Sequence, residues 1–220
     1  MTPAQELHAA IKSGDEGRVG ELLTADPLLV HGGGSAGMPP LLLAAYSGRR
    51  EIAALLLARG AELDQFAAAA LGHSETLREL LSGESKPLDL HSSDGWTSLH
   101  LASFFGQFGC VAVLLDLGAS VKMRSANTMG NTPLHAAAAG GHREVCALLL
   151  SHKAEVNAEQ ASQYTALHSA AANGSEELVR LLLAHEANPK AKSDKGESPL
   201  DMARARNHSA VVALLERLTK

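Results

Sequence analysis

Apolar residues in this chain come in paired helical bursts separated by polar turns. Leu178, Leu181 and Leu182 stand at i, i+3 and i+4, as do Val145, Leu148 and Leu149, so each trio makes one stripe of a helix. Ahead of each trio lies a shorter alanine-rich stretch. Counted from Thr132 at 100° per residue, Leu134, Ala137, Ala138 and Gly141 fall at about 200°, 140°, 240° and 180°, a narrow face of small residues that lets a neighbouring helix come close. Thr132 predicts an N-cap, Pro133 the first helical position, where a missing N–H costs nothing, and Gly141 the end of that helix. The leucine-bearing helix is expected to close in a left-handed cap near Gly60 or Gly118. Stretches such as SSDGW and NTMGN carry the Gly and Asn of tight turns.

The unit repeats. TPLHAAAAGGHREVCALLL from Thr132 is matched by TSLHLASFFGQFGCVAVLL from Thr97, TALHSAAANGSEELVRLLL from Thr165 and SPLDMARARNHSAVVALLE from Ser198, with weaker copies from Gln5, Pro39 and Leu63. Successive starts are 34, 24, 34, 35, 33 and 33 residues apart, so seven units tile residues 1–220 as a single domain, the first and last acting as caps. The polar set Arg204, Arg206, Glu216, Arg217 and Lys220 suits a terminal cap, and both ends read as those of a complete protein.

TPLH, then AA, GH, a Leu-rich helix and GA-x-V, in register several times from about Gln5 to Lys220, resembles the ankyrin repeat. The resemblance implies an all-α solenoid of stacked antiparallel helix pairs with projecting β-hairpin loops, binding another protein or peptide through hairpin tips and the concave inner-helix face. Departures from the pattern carry further expectations. Pro39 and Leu42 replace Thr and His in the second unit, and the short third unit leaves no room for a hairpin before Asp64 and Gln65. The first and third units share a tail, LLTADPLLVH and LLSGESKPLDLH, that implies a second kind of connector. Where Gly60 and Gly118 close their helices, Lys153 and Glu186 stand instead, at a cost of about 1 kcal/mol each if the left-handed conformation is kept.

Charge narrows the function classes. Nineteen Lys plus Arg against 24 Asp plus Glu give −5, which offers no overall basic field for nucleic acid or an anionic membrane. Two cysteines, Cys110 and Cys146, build neither a disulfide framework nor a four-thiolate zinc site and suit a reducing compartment, hence the cytoplasm; a monomer is expected. Their repeat offsets place them in the core as inert thiols. MTPAQELHAAIKSGDE has no basic leader with an apolar stretch behind it, and no run of 18 apolar residues occurs, so neither secretion nor membrane insertion is expected.

Eleven histidines raise the question of metal, and the repeat answers most of it. His8, His100, His135 and His168 hold the TPLH position and His73, His142 and His208 the GH position, which assigns them to structure, leaving His31, His91, His152 and His185. No catalytic, cofactor-binding or metal-binding residue is assigned. An alternative function, a nucleotide or small-molecule sensor, rests on Gly32, Gly34 and Gly37, which match GxGxxG in the loop 32–37. A dinucleotide site needs a strand before those glycines and a helix after them, whereas helices in repeat register surround them here.

Aromatics carry the remaining signal. Of seven, Tyr46 and Phe104 fall at offset 7 and Phe105 at offset 8, away from the apolar face, while Trp96 and Tyr164 immediately precede the helix starts. Large apolar groups gathered on one face mark partner surfaces, and Trp and Tyr dominate hot spots. The expected groove has Trp96, Phe104 and Phe105 in its middle, Tyr46, Leu71 and Met38 on one side, and Met129 and Tyr164 on the other. The competing reading is that these rings merely pack on one another.

Overall fold

The computed structural model describes residues 1–32, 37–83 and 88–219. Fourteen α-helices among them pair off unit by unit. The first unit is α1 (Pro3–Ser13) and α2 (Glu16–Ala25), the second α3 (Pro40–Tyr46) and α4 (Arg50–Ala58), and the third α5 (Gln65–Leu71) and α6 (Ser74–Leu81). Then follow α7 (Ser98–Phe104) with α8 (Phe108–Asp116), and α9 (Pro133–Gly140) with α10 (Arg143–Ser151). The last two pairs are α11 (Ala166–Ala172) with α12 (Glu176–Ala184), and α13 (Pro199–Ala205) with α14 (Ser209–Thr219). First helices stack on first helices, from α1 on α3 through to α11 on α13, and the small-residue face explains how: Ala68, Ala102, Ala137, Ala138, Ala170 and Ala171 are wholly buried. Leucines of the second helices seal the other side, Leu114, Leu149 and Leu182 being inaccessible, each worth about 1.5–3 kcal/mol of burial.

Capping follows the TPLH sequence in a way that spacing alone does not show. In α7, α9 and α11 the histidine three residues after the threonine turns back, so that the backbone N–H of Thr97, Thr132 and Thr165 donates to Nδ1 of His100, His135 and His168 at 3.4, 3.2 and 3.0 Å. With Nδ1 accepting, the proton is on Nε2, which donates to the next unit: to Asn131 O at 2.8 Å, Tyr164 O at 3.1 Å and Glu197 O at 3.1 Å. The departures now have causes. In the seventh unit Asp201 takes over the cap, accepting from Ser198 N–H at 2.9 Å. After the second unit comes the fingerless third, and apolar Leu42 is buried in the histidine's place.

Two helix starts differ from expectation. The first helix begins at Thr2, not near Gln5, because Thr2 and Gln5 themselves form a capping box. The third unit caps at Asp64 instead of Leu63, since a carboxylate accepting from Phe66 N–H at 3.0 Å and Ala67 N–H at 2.8 Å outcompetes an apolar residue. The fingers also depart from β-hairpins: no strand occurs among the described residues. Each of the last three is a tight loop closed by a backbone bond, Ser125 N–H to Asn131 O at 2.8 Å, Gln160 N–H to Tyr164 O at 3.0 Å and Ser193 N–H to Glu197 O at 2.9 Å. Neighbouring fingers are tied through Ala126 N–H to Gly95 O, Ala161 N–H to Met129 O and Asp194 N–H to Ser162 O.

The third unit has no finger. Arg59 to Asp64 lead directly from α4 into α5. The second kind of connector is a 3-10 turn, Pro27–His31, capped by Asp26 accepting from Leu28 N–H at 3.1 Å. Its counterpart in the third unit falls partly on residues 84–87, outside the described residues. At the junction of the second and third units the apolar core divides into two clusters, one reaching from Leu7 to Ala67 and one from Leu42 to Leu215. The first helices α3 and α5 still pack there, but α4 and α6 scarcely meet, whereas α2 rests on α4 and α6 on α8.

Candidate functional site

Four of the anticipated residues meet. Tyr46 lies edge-on to Phe105 with ring centres 5.3 Å apart, Phe105 to Phe104 at 5.2 Å, and Phe104 to Trp96 at 5.4 Å, a continuous run from the C-terminus of α3 across to the finger before α7. Edge-to-face pairs contribute about 0.5–1.5 kcal/mol each beyond burial, so the run is a stiff surface. All four rings are half-buried. They lie between the two readings drawn from sequence: Tyr46, Trp96 and Phe105 lean on the core with one side and leave the other to solvent.

Geometry adds a partner that the sequence did not single out. Tyr46 Oη donates to Asp94 Oδ2 at 2.5 Å, and Ser92 Oγ donates to Asp94 Oδ1. Burial, then the neighbouring Asp94 carboxylate, push the Tyr46 phenol well above its ordinary value. Tyr46 therefore reaches from the second unit to the finger of the fourth, spanning the place where the third unit has none. Asp94 was legible only as a turn residue, because a bond between positions 48 apart leaves no local signature.

The other anticipated residues are dispersed. Tyr164 stacks edge-on against His168 at 5.3 Å and donates through Oη to Glu197 Oε2 at 2.6 Å, apart from the main run. It lines a separate hollow of about 260 Å³ with Gln160, Met202 and Arg206. Met129 is 49% exposed at a finger tip, Met38 packs against both core clusters, and Leu71 sits with Phe105 in a cleft near α4. Phe108 is 49% exposed at the start of α8, and Phe66 packs against the larger cluster.

Sequence reading did not anticipate a set of ties between units. Residues that begin the second helices lie over a glycine of the preceding unit and donate to a carbonyl near the end of its first helix. Arg49 Nη2 reaches Lys12 O at 3.0 Å, Gln107 Nε2 reaches Ala70 O at 2.9 Å, His142 Nε2 reaches Phe104 O at 2.9 Å, and His208 Nε2 reaches Ala172 O at 2.9 Å. Between the fifth and sixth units the tie comes instead from Asn173, the C-cap of α11, which donates to Ala138 O and Ala139 O. Between the second and third, His73 makes no such bond and Gly48 is uncovered.

The remaining chemistry candidates are accounted for in place. Desolvation holds His100 and His135 down at about 4 and lowers His168, so all three are neutral bracing groups. His91 Nε2 bonds Arg124 O at 3.0 Å. Burial pushes the thiols of Cys110 and Cys146 up to about 11 and about 12, away from nucleophilic character. Among the described residues no group of three or more His, Cys, Asp or Glu is placed to hold a metal, and no helix is long and apolar enough to cross a membrane. In the GxGxxG match, Leu28, Leu29 and Val30 form the 3-10 turn instead of a strand, and Gly34 lies outside the described residues.

Family models described as ankyrin repeats match residues 36–67, 65–160 and 149–203. The chain belongs to the ankyrin-repeat family. Ankyrin repeats are in general protein–protein interaction modules. Relatives include human neurogenic locus notch homolog protein 4, 41% identical over 85 residues, which are 39% of this chain and 4% of that protein. Human ankyrin repeat and SOCS box protein 18 is 34% identical over 126 residues, 54% of this chain and 27% of the relative. Tyrosine-protein kinase HTK16 of Hydra vulgaris is 31% identical over 139 residues, 58% of this chain and 18% of the kinase. The chain thus spans between 4% and 27% of the length of these relatives, and the likeness is to the repeat array they share.

Proposed function

We propose that this ankyrin-repeat chain is a noncatalytic binding module, a cytoplasmic monomer, that docks a protein or peptide along the run Tyr46–Phe105–Phe104–Trp96. The observation that carries the reading is the half-burial of four contiguous rings beside a unit with no finger. Rings already braced on one another, and on Asp94 through Tyr46, lose little freedom when a partner covers them, so more of the contact energy is realised as affinity. Exposed Met129 and the rim near Tyr164 extend the surface towards the later fingers.

Affinity capture from a native lysate supplies the partner for the test. Trp96→Ala is expected to weaken the captured complex by about 2 kcal/mol, roughly thirtyfold in Kd, with Phe104→Ala acting in the same direction. A partner that binds both folded variants as tightly as the parent chain would overturn the assignment.

A further inference from the structure

The missing tie between the second and third units leaves an open cleft of about 470 Å³. Its floor is apolar, built from Ala53, Ala54 and Leu57 of α4, Ala70 and Leu71 of α5, and the ring of Phe105. Its rim is cationic or neutral: Arg49, Arg50, His73 and Gln107 line it, and among the described residues no Asp or Glu does. The nearest acids along the chain, Glu51 and Glu75, lie in the first turns of α4 and α6 but outside the lining.

The cations at the rim are largely unspent. The side chains of Arg50 and His73 are exposed and make no hydrogen bond or ion pair among the described residues. Arg49 uses Nη2 on Lys12 O, while its Nε is buried with no hydrogen-bond partner. Arg49 and His73 are also the N-caps of α4 and α6, and neither helix start is capped by a side chain, which adds positive potential on the same side. Elsewhere in the stack the equivalent space is filled by the residue that ties one unit to the next.

Phe105 belongs both to the aromatic run and to the cleft wall, which makes the two surfaces continuous. Resting on the docking reading above, we propose that the cleft selects the partner: it receives an aliphatic side chain carried beside a carboxylate on the docked peptide segment. The aliphatic group lies on Leu57 and Leu71, and the acid pairs with Arg50. The occupant is an acidic–aliphatic segment of another protein, matched to a cationic rim in an otherwise acidic chain.

Selection of short random peptides on the folded chain tests this, run in parallel on Arg50→Glu, on His73→Glu and on Trp96→Ala. Arg50 and His73 are exposed, so their variants should keep the parent melting curve. Peptides enriched on the parent should carry Asp or Glu next to Leu, Ile or Met, bind Arg50→Glu about tenfold more weakly, and give way to Lys- or Arg-bearing peptides when Arg50→Glu is the bait. Peptides that need Trp96 yet lack an acid and ignore Arg50 would overturn the cleft while leaving the aromatic run in place. Peptides that need Arg50 but not Trp96 would support the cleft and count against the aromatic reading. Recovery of no peptide weakened by Arg50→Glu would also overturn the proposal.

Discussion

Glu186 and Lys153 occupy the left-handed region with φ of 67° and 66°, at the position where Gly60 and Gly118 have 88° and 95°. The fold holds them there because the chain must leave α10 and α12 in the direction in which it leaves α4 and α8. Glu186 contributes only backbone groups, its N–H donating to Leu183 O at 3.0 Å and its carbonyl accepting from Asn157 Nδ2 at 3.0 Å, and both would survive loss of the side chain. Glu186→Gly is therefore expected to raise stability by about 1 kcal/mol, which at this size moves Tm up by about 2–4 °C. A variant that melts lower would show that this cap carries no strain. The bracing histidines act through pH. Their folded pKa of about 4 lies below the ordinary value of 6.5, so on acidification the unfolded chain takes up protons that folded His100 and His135 refuse. Stability they provide is complete above about pH 7 and is lost as pH falls from 6.5 towards 4, by about 3 kcal/mol for each at the lower end. Urea midpoints measured across that window should fall with pH, and fall less steeply in His135→Gln; a flat profile would refute neutral burial.

At the scale of elements, what joins one helix pair to the next is specific and uneven. An alanine methyl at Gly106 would strike the ring of His142 and break its bond to Phe104 O, in addition to the cost of a left-handed alanine at φ 70°. At Gly48 only the backbone cost applies, since nothing lies within reach. Gly106→Ala should thus destabilise by about 2–3 kcal/mol and Gly48→Ala by about 1 kcal/mol, compared by chemical denaturation. Equal losses would mean that the inter-unit tie contributes nothing. Helix existence and the TPLH caps were legible because they depend on neighbours within one turn. The ties were half-legible: the GH position was recognised, but Arg49 and Gln107 had to be seen in place before their kinship with His142 and His208 was evident. The loops read as β-hairpins formed no strand, because one closing bond per finger is too few to build a ladder.

For the whole molecule, the junction of the second and third units gathers several irregularities: the short repeat, the absent finger, the uncovered Gly48, the parted α4 and α6, and the divided core. Stacked repeats are stabilised by nearest-neighbour interfaces, so a weak interface separates cooperative blocks. Residues of the first block, such as Leu22 and Leu56, are expected to exchange their amide protons at a lower free energy than Leu114 and Leu149 of the second. Uniform protection across both would show that the stack opens as one body. The same break opens the cleft beside Phe105 and leaves the aromatic run without a neighbouring finger. One irregularity thus shapes both halves of the proposed docking surface.

Repeat period, helix pairing, the caps at Thr97, Thr132 and Thr165 and the missing finger followed from the amino-acid sequence alone, because each is set by contacts within a unit or by its length. That Trp96, Phe104, Phe105 and Tyr46 form one run, that Tyr46 is anchored on Asp94, and that a cationic cleft opens beside them were decided by tertiary structure. These depend on how far two units stand apart across a third. Distance through space between units is the quantity that a linear pattern does not encode.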